Sequence, residues 1–131
     1  MFTLFVTLSL LGAGDTNTDH IDFFEKKIRP VLVTHCYECH SSSAPEVQGG
    51  LLLDSRDGLR RGGEHGPALV PGDVEGSLLI DAIRHGTLQM PPDEKLPERT
   101  IADFVQWVKM GAPDPRDGLP NPETSGRDDN G

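Results

Sequence analysis

The chain has 131 residues, with 12 Lys and Arg against 21 Asp and Glu, and a formal net charge of −9 at pH 7. This acidity argues against binding to nucleic acid, which needs clustered basic side chains, and against an anionic membrane surface. The 15 Gly and 11 Pro residues make up about a fifth of the chain, well above average usage. These features predict one small, loop-rich domain that needs a disulfide, metal, cofactor or partner to complete its core.

The N-terminus carries an apolar run, Phe2–Leu11, followed by three small residues up to Gly14. This pattern predicts a signal peptide over residues 1–14 and export from the cytoplasm, although no Lys or Arg precedes the run. A helix packed on the domain is the alternative. No stretch reaches the roughly 18 apolar residues of a transmembrane helix, so no membrane association is expected beyond an uncleaved leader. Residues 15–19 are predicted to form a loose polar segment.

Apolar residues recur at spacings of three and four from Ile21 to Leu32, which predicts a helix from Ile21 to about Thr34. Pro30 falls inside this segment and is expected to kink the helix or end it. The apolar run Leu51–Leu53 predicts a short strand or a packed loop. One or two helical turns are predicted between Asp54 and Arg61.

Ser77 is predicted to cap a short helix that Gly86 stops. A last helix is predicted from about Glu98 to Met110, with Trp107 at one edge of its apolar stripe. The folded domain is predicted over residues 20–115. Residues 116–131 are acidic and rich in Pro and Gly, which predicts a disordered tail or a linker.

The most informative segment reads Cys36-Tyr37-Glu38-Cys39-His40, the C-x-x-C-H pattern of c-type haem attachment. Two thiols separated by two residues can add to the two vinyl groups on one side of a porphyrin. The residue that follows can then place an imidazole nitrogen on the iron. The pattern predicts Cys36 and Cys39 as covalent haem sites and His40 as the proximal iron ligand.

Other interpretations of the motif remain open at this stage. A thioredoxin-like site needs a βαβ context that the sequence does not indicate. A structural zinc site needs four ligands, which Cys36, Cys39, His40 and one more histidine could supply. The candidates for that fourth ligand are His35, His65 and His85. A strained disulfide or a chance occurrence would complete the alternatives.

A low-spin electron-transfer haem needs a second axial ligand, usually Met or His. Met90 lies in a loop before the last helix, and Pro91 and Pro92 stiffen the backbone behind it. It is therefore predicted as the distal iron ligand, whereas Met110 is expected to pack in the core or end the last helix. The histidines are weaker candidates: His65 and His85 as surface or capping residues, His35 as a residue bordering the haem edge, and His20 as a solvent-exposed residue.

Several motifs, in one order along residues 20 to 115, resemble the class I cytochrome c-like domain found at the N-terminus of large secreted planctomycete proteins. They are Phe24 to Pro30, Cys36 to His40, Gly49-Gly50-Leu51, Gly66 to Gly72, Ser77-Leu78-Leu79, Met90-Pro91-Pro92 and Trp107 to Ala112. The resemblance implies an all-α cytochrome c fold, with crossed N- and C-terminal helices, short helices and long loops around one covalent haem. It also implies that Pro71 and Gly72 line the haem. In those proteins much longer domains usually follow, which leaves open additional domains in a longer chain.

The leading functional hypothesis is an exported or periplasmic mono-haem c-type cytochrome that transfers single electrons and is not itself an enzyme. Its expected cofactor is one covalently bound haem c, and its expected partner is a redox protein, with a basic one suited to the acidic chain. Two alternatives remain. One is a haem module of a larger enzyme, and the other is a gas- or peroxide-reactive haem domain with a labile distal ligand.

Overall fold

The computed structural model describes residues 16–116; the predicted signal peptide and residues 117–131 of the predicted tail lie outside the described residues. Within this range, five α-helices follow in chain order: α1 (Thr16–Phe23), α2 (Arg29–His35), α3 (Arg56–Arg61), α4 (Leu78–Ile83) and α5 (Glu98–Lys109). A π-helical turn, Phe24–Ile28, joins α1 to α2, and a 3₁₀ turn spans Gln48–Gly50. Residues 16–116 contain no β-strand beyond an isolated bridge between Gly63 and Gly66, so Leu51–Leu53 is a loop. This helical architecture is compatible with the expected all-α cytochrome c-like fold.

The first helical segment begins at Thr16, so the prediction of a loose segment is wrong for residues 16–19, and it passes through Pro30 without ending. The π-helical turn explains how. The Arg29 N–H donates to the carbonyl of Phe24, five residues back, so the helix widens just before the proline. A proline in a regular α-helix clashes with the carbonyl four residues before it, and the wider turn accommodates the ring. Residues 16–35 therefore form one continuous helical stretch.

The two short helices begin where the sequence predicts, but their ends are formed differently. Ser55 caps α3, because its hydroxyl accepts a hydrogen bond from the Gly58 N–H at 3.0 Å. Ser77 stands at the N-cap position of α4 but makes no cap bond, and its hydroxyl instead donates to the carbonyl of Asp73 at 2.7 Å. The prediction that Gly86 stops α4 is wrong. The helix ends at Ile83, and His85 takes the left-handed backbone conformation, with a φ of 56°.

The core forms where the N-terminal helical stretch packs against α5. The rings of Phe24 and Trp107 lie 5.7 Å apart, and Phe104 meets Trp107 edge-on at 6.1 Å. Trp107 is fully buried rather than at the edge of the apolar stripe. This packing fixes the end of α2, and with it the cysteine motif that follows, relative to the C-terminal helix.

The segment after α5 folds back onto this core. The Trp107 indole Nε1–H donates to the carbonyl of Pro113 at 2.8 Å, and Asp114 is buried. The side chain of Arg116, where the predicted tail starts, is only 9% exposed. The packed body therefore extends at least to Arg116.

Candidate functional site

One cavity of about 520 Å³ brings together the four side chains that the sequence singles out, Cys36, Cys39, His40 and Met90. Its volume falls within the range of about 300–1,000 Å³ that is usual for cofactor and ligand sites. Cys36 and Met90, which are 54 positions apart in the sequence, therefore line the same cavity. The cysteine motif and the Met90 loop form two of its walls.

The rest of the cavity lining is largely apolar. It includes Leu51, Leu53, Ala68, Leu79, Ala82 and Ile83. Glu64 is the only Asp, Glu, Lys or Arg among the lining residues. A flat, mostly apolar macrocycle would be desolvated favourably in such a cavity. The donor set and the apolar lining therefore fit a haem group held through sulfur and nitrogen.

The cysteine motif is a tight turn that continues from the end of α2. The Cys36 N–H donates to the Leu32 carbonyl at 3.0 Å, which extends the helical path by one residue. The N–H groups of Cys39 and His40 then donate back to the Cys36 carbonyl, at 3.2 and 2.9 Å. Both cysteines are free thiols, Cys36 partly buried and Cys39 exposed. One turn of backbone therefore presents two thiols and an imidazole to the same cavity.

The imidazole of His40 is oriented by the loop that follows it. Its Nδ1 lies 3.0 Å from the carbonyl oxygen of Gln48, which can only accept, so Nδ1 carries the proton and donates. This tautomer leaves the Nε2 lone pair free for a metal. The backbone of this turn is fixed as well. The Leu53 N–H donates to the His40 carbonyl at 2.8 Å, and the Gln48 N–H donates to the Cys39 carbonyl at 3.0 Å.

The environment of the thiols bears on the redox interpretation of the motif. Burial, with a smaller contribution from the neighbouring Cys39, raises the pKa of Cys36 to about 11. A thioredoxin-like site needs the opposite, a lowered pKa that yields a reactive thiolate.

The zinc interpretation needs a cluster of ligands. No group of three or more His, Cys, Asp or Glu side chains that could hold a metal ion occurs within residues 16–116.

The second of these walls is the loop that carries Met90. The Met90 N–H donates to the Ala82 carbonyl at 3.0 Å, which ties the loop to α4. Pro91 and Pro92 line the cavity beside Met90, and the Nε2–H of His85 donates to the Pro91 carbonyl at 3.1 Å. His85, expected to be a surface or capping residue, therefore supports the backbone next to Met90.

The other candidate ligands fall in different places. His35 and His65 line the cavity from exposed positions, while His20 is partly buried in α1. Met110 immediately follows α5 and is not among the residues that line the cavity. Of the two internal methionines, Met90 thus lines the cavity and Met110 does not.

The expected role of Pro71 and Gly72 is not supported by their position. Neither residue is among those that line the cavity, and both are exposed. The Gly72 N–H donates to the Val108 carbonyl at 2.9 Å, so this loop is attached to α5 instead. Gly49 and Gly63 approach the cavity more closely. The Glu64 N–H donates to Gly49, and a Cβ on Gly63 would collide with the Gly49 carbonyl.

Sequence reasoning missed three groups that shape the site: the Gln48 carbonyl, His85 and Arg116. A backbone carbonyl leaves no trace in the side-chain pattern. Arg116 sits in an acidic, Pro-rich stretch that reads as a tail, yet its Nη1 donates to the Tyr37 hydroxyl at 2.9 Å, inside the cysteine motif. The spacing of these residues along the chain gives no hint of these contacts.

Comparison with known proteins points to one family. Residues 36–94 match the family model described as Planctomycete cytochrome C, and this range contains both cavity walls. No curated protein and no solved structure matches the chain. Residues 36–94 are therefore similar to a planctomycete-type cytochrome c domain, and such a domain implies covalently bound haem c and a role in electron transfer.

Proposed function

We propose that this protein is a mono-haem c-type cytochrome that transfers single electrons outside the cytoplasm. The observation that carries the proposal is the single cavity in which two thiols, one imidazole with a free Nε2 and one thioether meet. A cytochrome that only carries electrons needs nothing more at its iron than two stable axial ligands and two covalent attachments.

Each of the four side chains has a distinct role in this proposal. Cys36 and Cys39 would hold the macrocycle as thioethers, each sulfur bonding to a vinyl carbon while the thiol proton moves to the adjacent carbon. His40 Nε2 and Met90 Sδ would be the two protein ligands of the iron. Bound haem supplies one-electron chemistry between the ferric and ferrous states. With both ligands in place, the iron would have no position left for a substrate.

The surroundings of the four side chains favour a relatively high reduction potential. A thioether ligand and an apolar lining both disfavour the more highly charged ferric state. Leu51, Leu79 and Ile83 contribute such lining. The cavity therefore suits a carrier that accepts electrons readily.

The redox partner is proposed to be a basic protein that docks weakly. Glu38, Glu46 and Glu64 are exposed on or near the loops that form the cysteine side of the cavity, and the chain as a whole is strongly acidic. Complementary charge accelerates encounter, while the small interfaces of electron-transfer complexes permit rapid dissociation. The rate of electron transfer to such a partner would fall as salt is added.

None of the helices within residues 16–116 is long and apolar enough to cross a bilayer.

A second candidate function follows from the way Met90 is held. The hydrogen bonds that support its loop are short-range, which favours a distal ligand able to leave the iron. Such a domain could bind a small gas or react with peroxide. Carbon monoxide binding by the reduced native protein would favour this function, and the absence of binding favours the electron carrier.

The deciding experiment compares absorption spectra of the wild type, Met90→Ala and Met110→Ala, each purified after expression with haem maturation machinery. We expect a weak long-wavelength band from sulfur–iron charge transfer in the ferric wild type. Met90→Ala should lose that band, and the control Met110→Ala should keep it. A wild type without the band, or a band lost in Met110→Ala instead, would refute Met90 as the ligand.

A further inference from the structure

Arg116 forms a buried ion pair just beyond the last helix. Its Nε and Nη2 contact the two carboxylate oxygens of Asp114 at 2.9 and 2.6 Å, in a bidentate arrangement. The side chain of Asp114 is 1% exposed and that of Arg116 is 9% exposed. Surface ion pairs are rarely so well enclosed, and a buried charge of this kind is retained only where its donors are well satisfied.

The third nitrogen of this guanidinium, Nη1, bonds to the cysteine motif and to a neighbouring loop. Nη1 donates to the hydroxyl of Tyr37 at 2.9 Å and to the carbonyl of Leu53 at 2.6 Å. Tyr37 lies between the two cysteines, and the Leu53 N–H donates to the His40 carbonyl at 2.8 Å. Both partners of Nη1 are thus part of, or directly bonded to, the segment 36–40.

The core holds Arg116 from the opposite side. The guanidinium carbon lies 5.0 Å from the centre of the Phe24 ring, and Phe24 is fully buried. The indole of Trp107 fixes the backbone just before it through the Pro113 carbonyl. Asp114 balances the charge, so Arg116 can offer its other donors to Tyr37 and Leu53.

We propose that Arg116 is a positioning residue for the haem-attachment segment: it fixes Tyr37 and the Leu53 carbonyl, and through them the turn that presents Cys36, Cys39 and His40. This goes beyond the proposed function, on which it rests only for the identity of the group that the segment holds. A lysine could keep the charge but not these contacts, because an ammonium group lacks the planar fork that serves three partners at once.

The test uses Arg116→Lys in the full chain, with Arg29→Lys as a matched control. Arg29 also lies over the Phe24 ring, at 5.6 Å, but pairs with Glu25 in an ion pair that is about 40% exposed. Amide hydrogen exchange is measured across the chain, and the midpoint reduction potential is measured on the haem-loaded protein. The exchange experiment needs no electron-transfer activity, so it remains informative if the proposed function fails.

We expect Arg116→Lys to speed exchange at residues 36–40 and 53 by about tenfold or more, the scale for loss of hydrogen bonds to a charged group. Exchange at residues 85–92 should stay unchanged. The midpoint potential should fall, because a looser attachment segment admits water, which stabilises the ferric state. Arg29→Lys should change neither the local exchange nor the potential.

Tyr37→Phe provides a second, milder variant if Arg116→Lys fails to fold. It removes one acceptor and should speed exchange at residues 36–40 by about fivefold. Equal acceleration over the whole domain, with an unchanged potential, would mean that Arg116 only adds global stability and would overturn the proposal. So would unchanged exchange at residues 36–40.

Discussion

The two walls of the cavity are held in different ways. The attachment wall (residues 36–54) is tied to segments far away in the sequence, through Arg116 to Tyr37 and through the Glu64 N–H to Gly49. In the Met90 wall (residues 81–92), the loop hydrogen bonds are local, such as Met90 to Ala82 and His85 to Pro91. Long-range hydrogen bonds thus anchor the first wall, whereas the second is joined to the rest of the fold through the packing of α4, including Ile83, in the core.

This difference matters because local structure opens more easily than structure anchored in the core. In our proposal, the attachment wall carries the covalent sites and the proximal ligand, which must stay fixed while electrons pass. The Met90 wall carries only the proposed distal ligand. We therefore expect the Met90 wall to open first, and the choice between a closed carrier and a reactive haem to depend on how often it does so.

The largest effect should come from the core that both walls share. Trp107→Ala removes a fully buried ring that contacts Phe24 and Phe104, and should cost about 4 kcal/mol of unfolding free energy. The total unfolding free energy of a domain is about 5–15 kcal/mol, so this loss is a large part of it. Both walls should become less stable together. Urea unfolding followed by circular dichroism measures this loss. Trp107→Phe, which keeps most of the apolar volume, should lose clearly less, and equal losses would contradict this account of the core.

A smaller effect should be confined to the attachment wall. Asp114→Ala leaves the Arg116 charge buried without its carboxylate, which should cost about 3 kcal/mol. Because Arg116 then turns away from Tyr37, exchange at residues 36–40 should rise before exchange at residues 85–92. Glu25→Ala is the control, since its ion pair with Arg29 is exposed and worth less than about 1 kcal/mol. If Asp114→Ala lowers the unfolding free energy by less than about 1 kcal/mol, the ion pair does not position the attachment wall.

The smallest effect should appear in the Met90 wall alone. His85→Asn removes the hydrogen bond to the Pro91 carbonyl, and Asn tolerates the positive φ at this position, so the cost should be about 1 kcal/mol. The sulfur–iron band of the ferric protein should weaken on warming at a lower temperature than in the wild type. His65→Asn, on an exposed part of the lining, should behave as the wild type does. An unchanged band in His85→Asn would show that this bond does not support Met90.

Much of the fold could be predicted because its signals are local. The spacing of apolar residues gives α5 within one residue of its observed end, α3 lies within the predicted segment from Asp54 to Arg61, and Ser77 stands where α4 begins. The passage of the first helix through Pro30 could not be predicted, since it depends on a π-helical turn that apolar periodicity does not encode.

The same distinction between local and non-local features applies to the candidate site. Cys36, Cys39 and His40 form a local motif, and Met90 is marked by its two prolines, so the sequence alone selects all four. The groups that support them are non-local or belong to the backbone. Arg116 reaches Tyr37 across 79 positions, and the partner of His40 is a main-chain carbonyl. Such contacts arise from tertiary packing and leave no periodicity to detect.

The most direct test of the central claim is the mass of the purified protein, obtained by expression with haem maturation machinery and followed by peptide mapping. We predict a polypeptide that carries one haem, retained through acid-acetone extraction, with the added mass on the peptide that contains Cys36 and Cys39. The double variant Cys36→Ala/Cys39→Ala should show the polypeptide mass alone. A wild type that loses its haem on extraction, or carries it on another peptide, would contradict the assignment.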